Sequence, residues 1–162
     1  MRKNFCALLL ILPFIQPAFA GSDISTSCQV KKCFAGDQVI SFATKKDPFF
    51  ACSSMELSEY TNTVLGLIAI SIQFTGHLPN ISDKTGDPIV QGETKTLLDN
   101  LRAAAGVQTL DQALHNCMQG IGKRKLIVLN FPESADRGSM YVTDTLRKLS
   151  YWMPKGAADP KK

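Results

Sequence analysis

The sequence predicts an α+β domain stapled by disulfides. A helical N-terminal two-thirds, with one long central helix and two shorter ones, packs on a C-terminal three-stranded antiparallel meander. Three observations carry that expectation. Apolar residues recur at helical spacing through the middle of the chain, short β-branched runs replace them in the last third, and four cysteines follow an N-terminal leader. With 162 residues, 44% of them hydrophobic, the chain is large enough for one cored domain.

Residues 1–20 read as a cleaved signal peptide. Arg2 and Lys3 supply the basic start, Phe5 to Ile15 the apolar core, and Ala18-Phe19-Ala20 the small-x-small cleavage site. Pro13, Gln16 and Pro17 interrupt the run before it reaches the roughly 20 apolar residues that a membrane span requires. The reading is therefore export, to the periplasm or outside the cell, without stable membrane insertion once the signal is cleaved. The predicted division is a leader at 1–20, one domain at 21–154 and a flexible tail at 155–162.

The formal charge of +4 falls further when Arg2 and Lys3 leave with the signal, so sixteen basic residues face fourteen acidic ones. Such a balance gives long-range attraction to phosphate little to work with, which argues against nucleic acid as a partner. Lys123-Arg124-Lys125 is read as a solvated turn.

Cys28, Cys33, Cys52 and Cys117 form an even set in an exported chain, the signature of two disulfides. Zinc sites favour Cys-x-x-Cys knuckles, whereas the one close pair here has four intervening residues, and His77 and His115 lie far apart. No metal and no cofactor is expected. The favoured pairing takes Cys117 to Cys28 or Cys33 and joins the remaining N-terminal cysteines to each other.

The elements follow in order. Asp37 to Thr44 reads as a strand or extended arm. Ser53 with Glu56 forms a capping box that opens a helix through Leu57, Tyr60, Val64 and Ile68 to about Phe74, stopping at Gly76. Its second half, Val64 to Phe74, is apolar nearly all round, which predicts a central helix buried by the rest of the domain. Gly76, Pro79, Gly86, Pro88 and Gly92 then break every pattern and leave a long connection over 76–92. Glu93 to Ala105 resumes helical spacing, and Thr109 with Gln112 caps a short helix through Leu110, Ala113 and Cys117. Leu126 to Leu129, Ser139 to Thr143 and Leu149 to Met153 supply the three strands of the meander.

Catalytic patterns are sparse. Asp83-Lys84-Thr85-Gly86 matches four residues of the phosphorylated loop of cation pumps, and Lys84-Thr85-Gly86 one motif of penicillin-binding enzymes, yet no Ser-x-x-Lys nucleophile occurs. Gly-x-Ser-x-Gly is missing as well. His77, Ser82 and Asp83 or Asp87 share the long loop, and their convergence in a pocket would mark a small hydrolase.

Cys28-x-x-x-x-Cys33 soon after the leader, followed by Cys52 in Ala-Cys-Ser-Ser-Met-Glu-Leu-Ser-Glu-Tyr, resembles the start of TrbM-type conjugal-transfer accessory proteins. The likeness runs from Cys28 to Tyr60. It departs from that family in a longer spacing to the third cysteine and in the C-terminal strands, which have no counterpart. The resemblance implies an exported accessory protein of conjugation or secretion machinery.

The functional expectation is a non-enzymatic exported protein that acts through protein–protein contact. A small envelope hydrolase using the 76–92 loop and a periplasmic immunity or inhibitor protein are the alternatives. The expected docking residues are Leu78, Pro79 and Ile81 on the loop, with Lys148 and Tyr151 on the last strands. Alternation along the final strand is read as placing Trp152 in the core and Tyr151 outside.

Overall fold

The computed structural model describes residues 24–45, 48–134 and 137–161, so the expected leader lies outside the described residues. After a short 3₁₀ turn at Ile24–Thr26, the chain forms β1 (Gln38–Ser41), β2 (Phe50–Cys52) and α1 (Met55–Thr75). It continues through α2 (Gly92–Ala104), α3 (Leu110–His115), β3 (Cys117–Gln119), β4 (Lys125–Asn130), β5 (Ser139–Asp144) and β6 (Leu149–Pro154). A second 3₁₀ turn, Lys155–Ala157, leads into β7 (Ala158–Pro160). The strands make one seven-stranded antiparallel sheet in the order β3-β2-β6-β5-β4-β1-β7.

The three-stranded meander is corrected by this topology. β4, β5 and β6 are neighbours, but they form only the centre of a sheet extended by β2 and β3 on one side and by β1 and β7 on the other. The flexible tail is corrected as well. Lys155, its first residue, is buried, and its ammonium donates to Pro132 O at 2.6 Å while lying 4.3 Å from the centre of the Phe131 ring. Beyond it, Ala158 pairs with Ser41 on β1, Cys28 N–H donates to Ala158 O, and Phe42 N–H donates to Ala157 O. The domain thus continues through the last described residues.

Alternation sorts the strand residues onto two faces. One face carries Val39, Leu126, Val128, Met140, Val142, Tyr151, Met153 and Ala158, all buried, together with Phe49, Ala51 and the Cys28–Cys33 loop. Among the described residues, no α-helical residue belongs to this cluster, which is built from the sheet and its loops. The opposite face meets α1 at the β2, β6 and β5 end. There Ser58 Oγ lies 2.9 Å from Ser139 Oγ, and Trp152 stacks beside Tyr141 with ring centres 5.2 Å apart. Tyr151 is therefore core and Trp152 half-buried, the reverse of the expected faces. The register fixes this: Tyr151 lies opposite Val142, and Trp152 opposite Tyr141.

α1 starts one residue later than the capping-box reading places it. Ser54 is the N-cap, accepting from Leu57 N–H at 3.2 Å, and the helix ends at Gly76, whose φ of 75° is left-handed. Asn62 binds the helix to β2 as a surrogate strand, since its side chain accepts from Phe50 N–H at 2.9 Å and donates to Phe50 O at 3.0 Å. A second core cluster, with Cys52, Leu57, Tyr60, Val64, Leu98, Val107 and Ala113, joins the helices to one another.

The disulfides link Cys28 to Cys33 and Cys52 to Cys117, so Cys117 does not reach the N-terminal pair as expected. The pairing follows from the sheet: Cys52 and Cys117 stand directly opposite each other on β2 and β3. Where β3 leads into β4, Gly122 passes so close to Ala43 that a Cβ there would stand 2.7 Å from Ala43 O.

The β5–β6 hairpin turn is held by an ion cluster. Asp144, almost fully buried, accepts from Arg124 Nε at 2.8 Å and Nη2 at 3.0 Å, and from Leu146 and Arg147 N–H. Burial alone would raise its pKa, but the hydrogen bonds from Arg147 and Arg124 overcome that and hold it below the usual carboxylate range. Burial, reinforced by the nearby Asp144 charge, pushes the Tyr151 phenol up to about 12.

Two expectations follow for stability. Cys117→Ser, which opens a loop spanning 65 residues, is expected to lower unfolding free energy by about 4 kcal/mol in urea titrations, against about 2 kcal/mol for Cys33→Ser with its separation of 5. The second concerns alkali. An unfolded tyrosine ionises near pH ~10 whereas buried Tyr151 holds its proton to about 12, so stability present below pH ~10 is lost between these values. Melting curves across that window should show a shallower loss in Tyr151→Phe.

Candidate interaction surface

The first half of α1 is locked into the fold, with Leu57, Ser58, Glu59, Tyr60, Thr61 and Val64 buried. The second half leaves the body. Leu67 and Ile68 still pack against the helical cluster, but Ile70, Ile72 and Phe74 are exposed, Phe74 by 81%. The buried central helix expected from this run is therefore corrected: only one edge of it is covered. Ile70 and Phe74 stand one turn apart on the same flank. No charged residue occurs from Thr61 to Thr75.

The connection after α1 continues the same character. Leu78 is 70% exposed, and Ile81 and Ile89 are exposed beside a half-buried Pro79. Six exposed large apolar side chains thus lie within residues 70–89. Scattered exposed leucines are ordinary, whereas apolar side chains concentrated on one segment mark a contact surface.

The connection is built, not slack. Ile81 and Pro88 form a bridge, Ser82 N–H donates to Asp87 O, Ile89 N–H donates to Asn80 O, and Gly86 N–H donates to Ser82 O, each at 2.8 Å. Thr85 O accepts from Leu110 N–H at 2.8 Å, which ties the loop to the start of α3. Its deepest anchor is Asp87, which is buried. Tyr60 Oη donates to Asp87 Oδ1 at 2.6 Å, and Arg102 on α2 pairs with Oδ2. Arg102 also donates to Asp99 at 2.5 Å. Burial, with the hydrogen bond to Asp87 and its charge, pushes the Tyr60 phenol far above its ordinary value. A single carboxylate thereby fastens the loop to two helices.

Leu78, Pro79 and Ile81 therefore share the expected loop surface. Lys148 sits in the β5–β6 turn at a φ of 52°, at the opposite end of β5 from the Ser58–Ser139 contact. Tyr151, at 7% exposure, takes no part in a surface. Ile70, Ile72 and Phe74 are the exposed apolar residues that sequence reasoning missed. Their signal was present in the charge-free, non-amphipathic run, which was assigned to the interior.

The same geometry describes the residues weighed as a hydrolase. Asp87 is committed to Tyr60 and Arg102, Ser82 Oγ accepts from Thr85 N–H at 3.3 Å, and His77 is exposed, with its backbone N–H donating to Thr75 Oγ1 at 3.2 Å. Two open clefts, one beside Cys28 and Phe131 and one beside Glu59 and Ser139, are lined by other residues. Among the described residues, no group of three or more His, Cys, Asp or Glu stands together as a metal site, and no helix is long and apolar enough to cross a membrane.

No protein-family model, curated protein or solved structure matches the chain. The surface is thus read from its own chemistry.

Arg102→Ala is expected to destabilise the fold by about 3 kcal/mol, because it leaves the buried Asp87 charge with Tyr60 as its remaining side-chain donor. Hydrogen exchange should locate the loss in residues 76–91 and the start of α3. Uniform weakening across the β-sheet would contradict the anchor.

Proposed function

We propose that this is an exported, non-enzymatic protein that binds another protein through the end of α1 and the 76–91 loop. One observation carries the reading: the exposed apolar side chains of Ile70, Ile72 and Phe74 at the end of α1, continued by Leu78, Ile81 and Ile89 on a loop anchored by the Asp87–Arg102 ion pair. Its occupant is an apolar, uncharged segment of a partner, since the Thr61–Thr75 run offers no charge to pair. Covering each large side chain would contribute about 2 kcal/mol, enough for a few of them to dominate binding.

Two disulfides are the chemistry of an oxidising compartment and support export. The periplasm suits the leader read in residues 1–20. The likeness of Cys28 to Tyr60 to conjugal-transfer accessory proteins supports a place beside conjugation or secretion machinery.

Replacing Phe74 by a photo-crosslinking phenylalanine analogue, in cells that export the protein, is expected to trap one defined protein. Purified, that protein should bind the wild type and bind Ile70→Glu/Phe74→Glu at least about tenfold more weakly, a loss of roughly 1.4 kcal/mol. Both positions are exposed, so the melting temperature should stay unchanged. Equal binding by the double variant would exclude this surface. Crosslinks to lipid alone, with flotation on vesicles, would replace the protein partner by a membrane.

A further inference from the structure

Gly66 sits in the middle of α1, where glycine costs stability relative to alanine. Among the described residues, nothing inside the molecule asks for it. A Cβ added there would meet no atom within 4 Å, and its φ is not positive. A helix-interior glycine without an internal reason marks close approach from outside. Two residues on from buried Val64, Gly66 lies on the far side of the helix and leaves a notch there. Ile70 and Phe74 follow one and two turns later on the same flank, exposed by 53% and 81%. The spacing is symmetric: at ~1.5 Å of rise per residue, Gly66 and Phe74 stand about 6 Å on either side of Ile70.

We infer that the occupant of this flank is a second copy of the chain, its α1 laid antiparallel so that Phe74 of each copy fills the Gly66 notch of the other and Ile70 meets Ile70. This rests on the reading of the end of α1 as a binding surface and names the partner. Two-fold pairing needs a self-complementary patch, and large against small about a central Ile70 supplies one. The absence of charge from Thr61 to Thr75 means that neither copy buries or opposes a like charge. Ile70, Phe74 and Leu78, with the exposed Ala69, Gln73 and Thr75 beside them, offer roughly 600 Å² per copy. Two copies would bury roughly 1,200 Å², the lower end of specific interfaces. The dimer is therefore reversible and micromolar, not obligate.

Sedimentation equilibrium of the purified protein tests this. The wild type is expected to pass from monomer to dimer across the micromolar range. Gly66→Leu fills the notch and should weaken dimerisation at least about tenfold. Leucine is the better helix former and open space receives it, so that variant should melt no lower than the wild type. Ile70→Cys, opposite itself in the pairing, should give a disulfide-linked dimer on mild oxidation, whereas Ile72→Cys, on another flank, should not. A monomer at every concentration, an undiminished Gly66→Leu dimer, no linkage through Ile70→Cys or equal linkage through Ile72→Cys overturns the inference. The crosslinking analogue at Phe74 keeps the two readings apart. A monomeric protein that still traps a different chain loses the second copy and keeps the surface, and one that traps nothing loses both.

Discussion

The Cys52–Cys117 bond is the joint on which the architecture turns. Cys52 pairs with Cys117 on one side and with Trp152 on the other, so it sets the register of β3, β2 and β6 together. It also belongs to the helical core, and Thr61 Oγ1 on α1 lies 3.7 Å from Cys117 Sγ. β2 and β3 have three residues each, too few to hold a ladder by hydrogen bonds alone. The covalent link lets such short strands extend the sheet while α1 and α3 pack beside it. Cys28–Cys33 acts more locally, closing a loop over the core at the other side of the sheet.

Much of the fold was legible where an element was long enough to carry a pattern. Gly76 ended α1 as expected because a left-handed cap needs that residue, and Thr109 capped α3 by accepting from Gln112 N–H. The strands β4, β5 and β6 were visible in their six-residue runs. β2, β3 and β7 were invisible for a physical reason: three residues make barely one alternation, and what orders them is a distant partner strand. β7 contains Pro160 and follows Gly156, composition that locally reads as a tail. Tyr151 and Trp152 were exchanged because a period of two leaves the choice of face open until a neighbouring strand settles it.

The candidate surface was half legible. Leu78 and Ile81 stood out on a Gly/Pro-rich connection, but the run before them misled. An all-round apolar helix usually means interior, because apolar area seeks cover. Here, among the described residues, the cover runs out: the sheet fills its own core face without any α-helix, and the cluster shared with α2 and α3 takes in Leu67 and Ile68 but not Ile70, Ile72 or Phe74. Meanwhile the buried polar groups sit where loops must be held, at Asp87, Asp144 and Glu59. Polar chemistry fixes the frame, and apolar chemistry is left facing out.

The place of β1 in the sheet bears on when this chain can fold. Its two neighbours are β4 and β7, so a strand formed near residue 40 waits for partners near 126 and near 159. Neither ladder of β1 forms until those distant segments are present. Folding dominated by such distant pairings is slow.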